Sequence, residues 1–110
     1  MRTLPCLSLM IALGFAAAPA GAQTVPGDVR HGRDLSERFC VNCHSVKSEP
    51  AATVSSDVLS FPSIAKQPGT TAERLAGRII IPHPAMPGVQ LTVRELRDII
   101  AYIMSLKPDK

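Results

Sequence analysis

The chain has 110 residues, which leaves room for one domain. Twelve Lys and Arg against nine Asp and Glu give a formal charge of +3, too mild and too scattered for a nucleic-acid surface. With no Trp and ten Pro, the chain is poor in large core side chains and calls for a staple, a metal or a bound group.

Residues 1–22 read as a secretory leader. Arg2 supplies the positive start, an apolar run follows from Leu7 through Phe15, and Ala20-Gly21-Ala22 forms an A-x-A-like cleavage site before Gln23. The apolar stretch is too short for a comfortable membrane span, so no stable membrane insertion is expected. Cys6 precedes the apolar run, the wrong order for lipid attachment. The mature domain is then 23–110, exported and, in a bacterium, periplasmic. Only Arg2 among the cations leaves with the leader, so the mature charge stays mildly positive.

Residues 23–27 read as a loose start. A first helix is predicted from near Asp28, as N-cap, to Cys40, with Leu35 and Phe39 on one face and His31 toward solvent. Gly32 weakens that helix unless another backbone must come close. Residues 45–69 lack periodicity and read as a long loop with a short helical turn near Ser63–Lys66, a length that suggests it wraps something. Thr70-Thr71-Ala72-Glu73 has the form of a capping box opening a second helix, which Pro82 stops near Ile80. Three prolines keep 82–90 irregular. The third helix is the clearest. Thr92-Val93-Arg94-Glu95 is a capping box, Leu91 and Leu96 stand as a staple, and Leu96, Ile99, Ile100, Ile103 and Leu106 share a face. Pro108 follows its end. The expected class is all-α, with three main helices.

One constellation carries chemistry, Cys40-Val41-Asn42-Cys43-His44. C-x-x-C-H is the spacing of covalent haem attachment, with two thiols able to reach two vinyl groups on one porphyrin edge and His44 placed beneath the iron. A zinc site would need two further ligands at short spacing, and the mature chain has no other cysteine. A thioredoxin-like pair would want a βαβ context, and a disulfide would close too small a loop to matter. The sixth iron ligand has to come from Met86, Met104, His31 or His83. Met104 reads as a flank of the last helix's apolar face. Met86, stiffened by Pro84 and Pro87, is the expected ligand, and His83 in the same loop is its rival.

Three stretches resemble the small bacterial class I c-type cytochromes: Gly32 through His44, Pro82-His83-Pro84-Ala85-Met86-Pro87, and Ile99 through Leu106. With the Phe61–Ala65 segment between them, they span nearly the whole mature chain. The resemblance implies a cytochrome c-like fold around one haem c, held through Cys40 and Cys43 and ligated by His44 and Met86. It also implies that the first and last helices cross at Gly32, with Ser36 and Tyr102 packed nearby. Family members orient the proximal histidine with a carbonyl from a Gly-Pro pair. This chain lacks that pair, so Glu49-Pro50 or Phe61-Pro62 would substitute.

With both axial positions filled, the expected role is a monomeric one-electron carrier and not an enzyme. It would shuttle between a donor dehydrogenase or membrane complex and an acceptor oxidase or reductase. The alternative is a haem-based sensor or peroxidase-like protein whose sixth ligand is labile.

Overall fold

The computed structural model describes residues 25–47, 57–81, 83–84 and 86–108. The expected leader with its cut after Ala22, and the Glu49-Pro50 pair, lie outside the described residues. Among the described residues there are four helices and no strand.

Helix α1, Val29–Phe39, starts where its cap dictates: the Asp28 carboxylate accepts from the N–H groups of Arg30 and His31. Its inner face is Gly32, Leu35 and Ser36. Phe39, expected beside Leu35, is 40% exposed. The Ser36 hydroxyl donates to the Gly32 carbonyl at 2.7 Å, which satisfies a polar group that is wholly buried.

Helix α2, Phe61–Lys66, is longer than the turn expected at Ser63–Lys66. Ser60 caps it by accepting from Ser63 N–H, and Pro62 sits in the first turn, where a missing N–H costs nothing. That pairing of Ser60 and Pro62 was a readable start signal. Residues 67–70 then make a tight turn closed by Thr70 N–H to the Gln67 carbonyl. Pro68 is its second residue and Gly69, at φ +79°, its third, the combination a type II turn demands.

Helix α3, Ala72–Ile80, ends as predicted but begins one residue later. Thr71, and not Thr70, is the N-cap, accepting from Arg74 N–H. Thr70 is buried instead, with its hydroxyl donating to the Ile64 carbonyl, so tertiary contact took the residue that the capping-box pattern had claimed.

Helix α4, Val93–Ser105, has the full capping box: Thr92 Oγ1 accepts from Glu95 N–H while the Glu95 carboxylate accepts from Thr92 N–H. It is the spine of the fold, packing against α1, α2 and α3 in turn. Ile99 and Ile103 meet Leu35 of α1, Phe61 and Ala65 of α2 and Leu75 of α3 in one core. Tyr102, expected to pack near the Gly32 crossing, is buried at 6% exposed.

The α1–α4 crossing is backbone on backbone. A Cβ on Gly32 would stand 1.9 Å from the Asp98 carbonyl oxygen and 2.9 Å from the Ile99 nitrogen. Gly32 is therefore the close-approach residue that a glycine within a helix foreshadowed. Asp98, 3% exposed, locks the same crossing: it accepts from Asp28 N–H at 2.8 Å and from His31 Nδ1–H at 2.7 Å. His31 is half exposed, as expected, but it is engaged. These bonds hold the Asp98 carboxyl below its ordinary pKa, the His31 hydrogen bond contributing most.

Candidate functional site

The motif follows α1 without a break. Cys40 N–H donates to the Ser36 carbonyl, and the N–H groups of Cys43 and His44 both donate to the Cys40 carbonyl, at 3.2 and 2.9 Å. Residues 40–44 thus form one tight turn, with the two thiols three positions apart and on neighbouring parts of its surface. Cys43 is exposed, Cys40 is half-buried, and both are free thiols. Burial pushes the Cys40 thiol up to about 11, so it stays protonated at neutral pH. A thiol held in its protonated form makes Cys40 a poor redox nucleophile. Among the described residues, no three His, Cys, Asp or Glu side chains gather as metal ligands do.

His44 is oriented by main chain. Its Nδ1 lies 2.7 Å from the Leu59 carbonyl oxygen. A carbonyl only accepts, so Nδ1 carries the proton and Nε2 is left with its lone pair outward, the tautomer a metal ligand needs. The acceptor expected from Glu49-Pro50 or Phe61-Pro62 is thus Leu59, two residues before Phe61. The physical reason is the strap beside it. Phe61 N–H donates to the Ser45 carbonyl at 2.8 Å, pinning the start of α2 against the end of the motif and swinging the Leu59 carbonyl over the imidazole.

Two rings brace this arrangement. Phe61 stands 5.5 Å from His44, centre to centre, and Tyr102 stands 6.4 Å from Phe61. The Tyr102 hydroxyl donates to the Val46 carbonyl at 2.6 Å, tying α4 to the residues just after the motif. Tyr102 and Val46 are both buried, and burial raises the phenol above its ordinary pKa.

The proline-rich loop reaches the same place. His83 has its ring centre 6.3 Å from that of His44, with the planes inclined at 72°. Met86 is half-buried, and its N–H donates to the His83 carbonyl at 3.0 Å, so both candidates for the sixth ligand stand on one turn. The other two candidates fall away: His31 is engaged with Asp98, and Met104 packs against the core from its flank.

The residues present fit a haem. The donor set is a fixed imidazole with a free lone pair, two unpaired thiols one turn apart, and a thioether in the loop that faces the imidazole. Apolar side chains border these elements while standing well exposed: Val41 within the motif, Leu59 at 51%, and Ile80 and Ile81 at 65% and 74% just before the loop. So much outward apolar surface around one donor cluster marks a bound apolar group.

What sequence reasoning missed is the main-chain acceptor at Leu59, the Ser45–Phe61 strap and the Asp98 lock. The first two had no side-chain signal. Asp98 had none in the helical pattern either, since it lies about 100° around α4 from Ile99, off the face that Leu96, Ile99, Ile100, Ile103 and Leu106 share.

Comparison with known proteins agrees. Residues 29–107 match the family model described as Cytochrome c. The chain is similar to a protein named cytochrome c-552 from Bradyrhizobium diazoefficiens. The two are 42% identical over 98 residues, covering 89% of this chain and 93% of that protein. No solved structure matches it.

Proposed function

The chain belongs to the cytochrome c family, a haem electron-transfer protein whose haem c is covalent, and from that premise we propose a periplasmic carrier with His44 and Met86 on the iron. The observation that carries the ligand reading is the His44 Nδ1–H bond to Leu59, which leaves Nε2 free on the residue next to Cys43. Residues 1–22 act as the export leader and residues 23–110 as the working domain.

When bound, the haem supplies a one-electron change between Fe(II) and Fe(III). The chain's own residues set its terms. Cys40 and Cys43 fix the ring, and the Leu59 carbonyl keeps the His44 imidazole basic and immobile. The Met86 thioether favours the reduced state over what a second histidine would give. With His44 and Met86 both holding the iron, no open position would remain for a substrate, which fits a carrier and not an enzyme. Phe61 and the α4 core beneath it keep water from the proximal side. Cys43 stands at the surface, so the edge it holds is open to a redox partner, a donor dehydrogenase or membrane complex on one side and an oxidase or reductase on the other. Such contacts are small and short-lived, because a carrier must release.

The test is the absorption spectrum of the purified holoprotein. The weak sulfur-to-iron band at the red end should be present in the oxidised form and lost in Met86→Ala. A covalently bound haem with no such band, and ready carbon monoxide binding to the reduced form, would replace the carrier with a sensor or peroxidase. Sequencing the N-terminus of periplasmic protein checks the leader, with Gln23 the expected first residue.

A further inference from the structure

The proline-rich loop holds two groups able to bind iron, and the proposed function uses one of them. His83 is the other. Its Nδ1 is buried and has no hydrogen-bond partner among the described residues, a state that native folds seldom tolerate without a reason. An imidazole nitrogen binds a transition metal at about 2 Å, so two imidazoles facing each other across one ion have ring centres roughly 6 Å apart. The centres of His44 and His83 are 6.3 Å apart. The inclination of 72° is no obstacle, since each ring turns freely about its own metal bond.

We propose that His83 is a reserve axial ligand, which takes the iron when Met86 leaves it. The inference rests on the His44 and Met86 reading above. The tether makes the exchange local. Met86 N–H and the His83 carbonyl close a single turn with Pro84 as its second residue, where a fixed φ suits a turn. Three positions of chain hold the incoming imidazole beside the outgoing thioether at high effective concentration, so a shift of the turn suffices and the helices stay in place. One iron–sulfur bond breaks and one iron–nitrogen bond forms; no electron moves, and the neutral imidazole keeps its one N–H proton. A thioether favours Fe(II) more than an imidazole does, so the exchange is linked to oxidation state and lowers the potential of the centre. The loop is then a two-position device, with Met86 on for electron acceptance and His83 on for a closed, low-potential state that excludes small ligands. His31 does not compete, because Asp98 holds it at the far crossing.

The experiment compares wild-type holoprotein with Met86→Ala and Met86→Leu, each with and without His83→Ala, by ferric electron paramagnetic resonance and by carbon monoxide binding to the reduced form. Met86→Leu keeps the apolar volume should the alanine variant fail to fold. Wild type and His83→Ala should both show the sulfur-to-iron band. Either Met86 variant should lose it yet remain low-spin with a two-nitrogen signature and bind carbon monoxide slowly. Adding His83→Ala should abolish the low-spin signal and open the iron to carbon monoxide. If the Met86 variants are already high-spin and bind carbon monoxide as fast as the doubles, His83 does not reach the iron; the reserve role fails while the Met86 reading stands. If the band is missing from wild type or survives in Met86→Ala, the Met86 reading fails instead. A wild-type low-spin state that His83→Ala alone removes would make His83 the resident ligand and overturn the exchange.

Discussion

Substituting Gly32 by alanine tests the crossing on which the fold turns. The added methyl would stand 1.9 Å from the Asp98 carbonyl oxygen, 2.4 Å from its carbon and 2.9 Å from the Ile99 nitrogen. All three are backbone atoms within α4, so no rotamer change relieves the contact. Ordinary contact requires about 3.5 Å, so the helices must part by roughly 1.5 Å where Leu35, Ser36 and Ile99 are packed. Overpacking of this kind costs about 3 kcal/mol, the upper part of its usual range, because the obstruction cannot give. Alanine regains about 1 kcal/mol of helix propensity over glycine, leaving a net loss of about 2 kcal/mol. For a domain of this size that lowers the melting temperature by roughly 10–15 °C. The assay is thermal unfolding of the ferric holoprotein followed by far-ultraviolet circular dichroism. Gly77 in α3 is the internal control, since a Cβ there meets nothing within 4 Å. Gly77→Ala should raise stability by about 0.5–1 kcal/mol through propensity alone. If Gly32→Ala melts with wild type or above it, α1 and α4 are not in backbone contact and the crossing described here is wrong.

Three further substitutions probe the braces. Asp98 has its folded pKa lowered, so its contribution is present above the ordinary carboxylate range and lost as pH falls through the folded value. Urea midpoints measured against pH should therefore fall below about pH 4, and Asp98→Asn should be less stable at neutral pH with the gap closing in acid; parallel curves would remove Asp98 from the linkage. Tyr102→Phe removes the hydroxyl that satisfies the buried Val46 carbonyl and should cost about 1–3 kcal/mol in chemical denaturation. Thr92→Ala removes the side-chain half of the α4 capping box, the hydroxyl that accepts from Glu95 N–H, while the residue-92 N–H can still donate to Glu95; it should cost about 0.5–2 kcal/mol, seen as a lowered melting temperature at an unchanged spectrum.

Three of the four helices were legible because each is announced by local chemistry. Asp28 at α1 and the Thr92–Glu95 box at α4 satisfy orphan N–H groups within a few residues of themselves, and nothing distant competes for them. The start of α3 shows where that logic fails. Thr70 and Thr71 are equally good caps by pattern, and the choice was made by Ile64, whose carbonyl takes the Thr70 hydroxyl across the preceding turn. The motif was legible for a similar reason, since C-x-x-C-H packs its chemistry into one turn. The loop of Met86 and His83 was legible as stiff from its prolines, whereas the turn that joins the two residues through Met86 N–H and the His83 carbonyl was not.

The acceptor for His44 was illegible for a deeper reason. A main-chain carbonyl carries no residue identity, so any of the residues between 45 and 69 could have supplied it, and a search for proline pairs followed side-chain habit. What selects Leu59 is the reach of the strap. Ser45 is the residue after the ligand, Phe61 the first of α2, and their N–H to carbonyl bond leaves the carbonyl two residues earlier over the imidazole. Tyr102 then anchors Val46, the next residue along, to the long helix. The orientation of the proximal ligand therefore depends on α2 and α4 together, and not on the motif alone. Loosening either should disturb His44 without touching it, whereas the proposed exchange would move only the turn between His83 and Met86. The fold thus holds the His44 imidazole through its core and carries His83 and Met86 together on one short turn, so that a change confined to that turn leaves the His44 side intact.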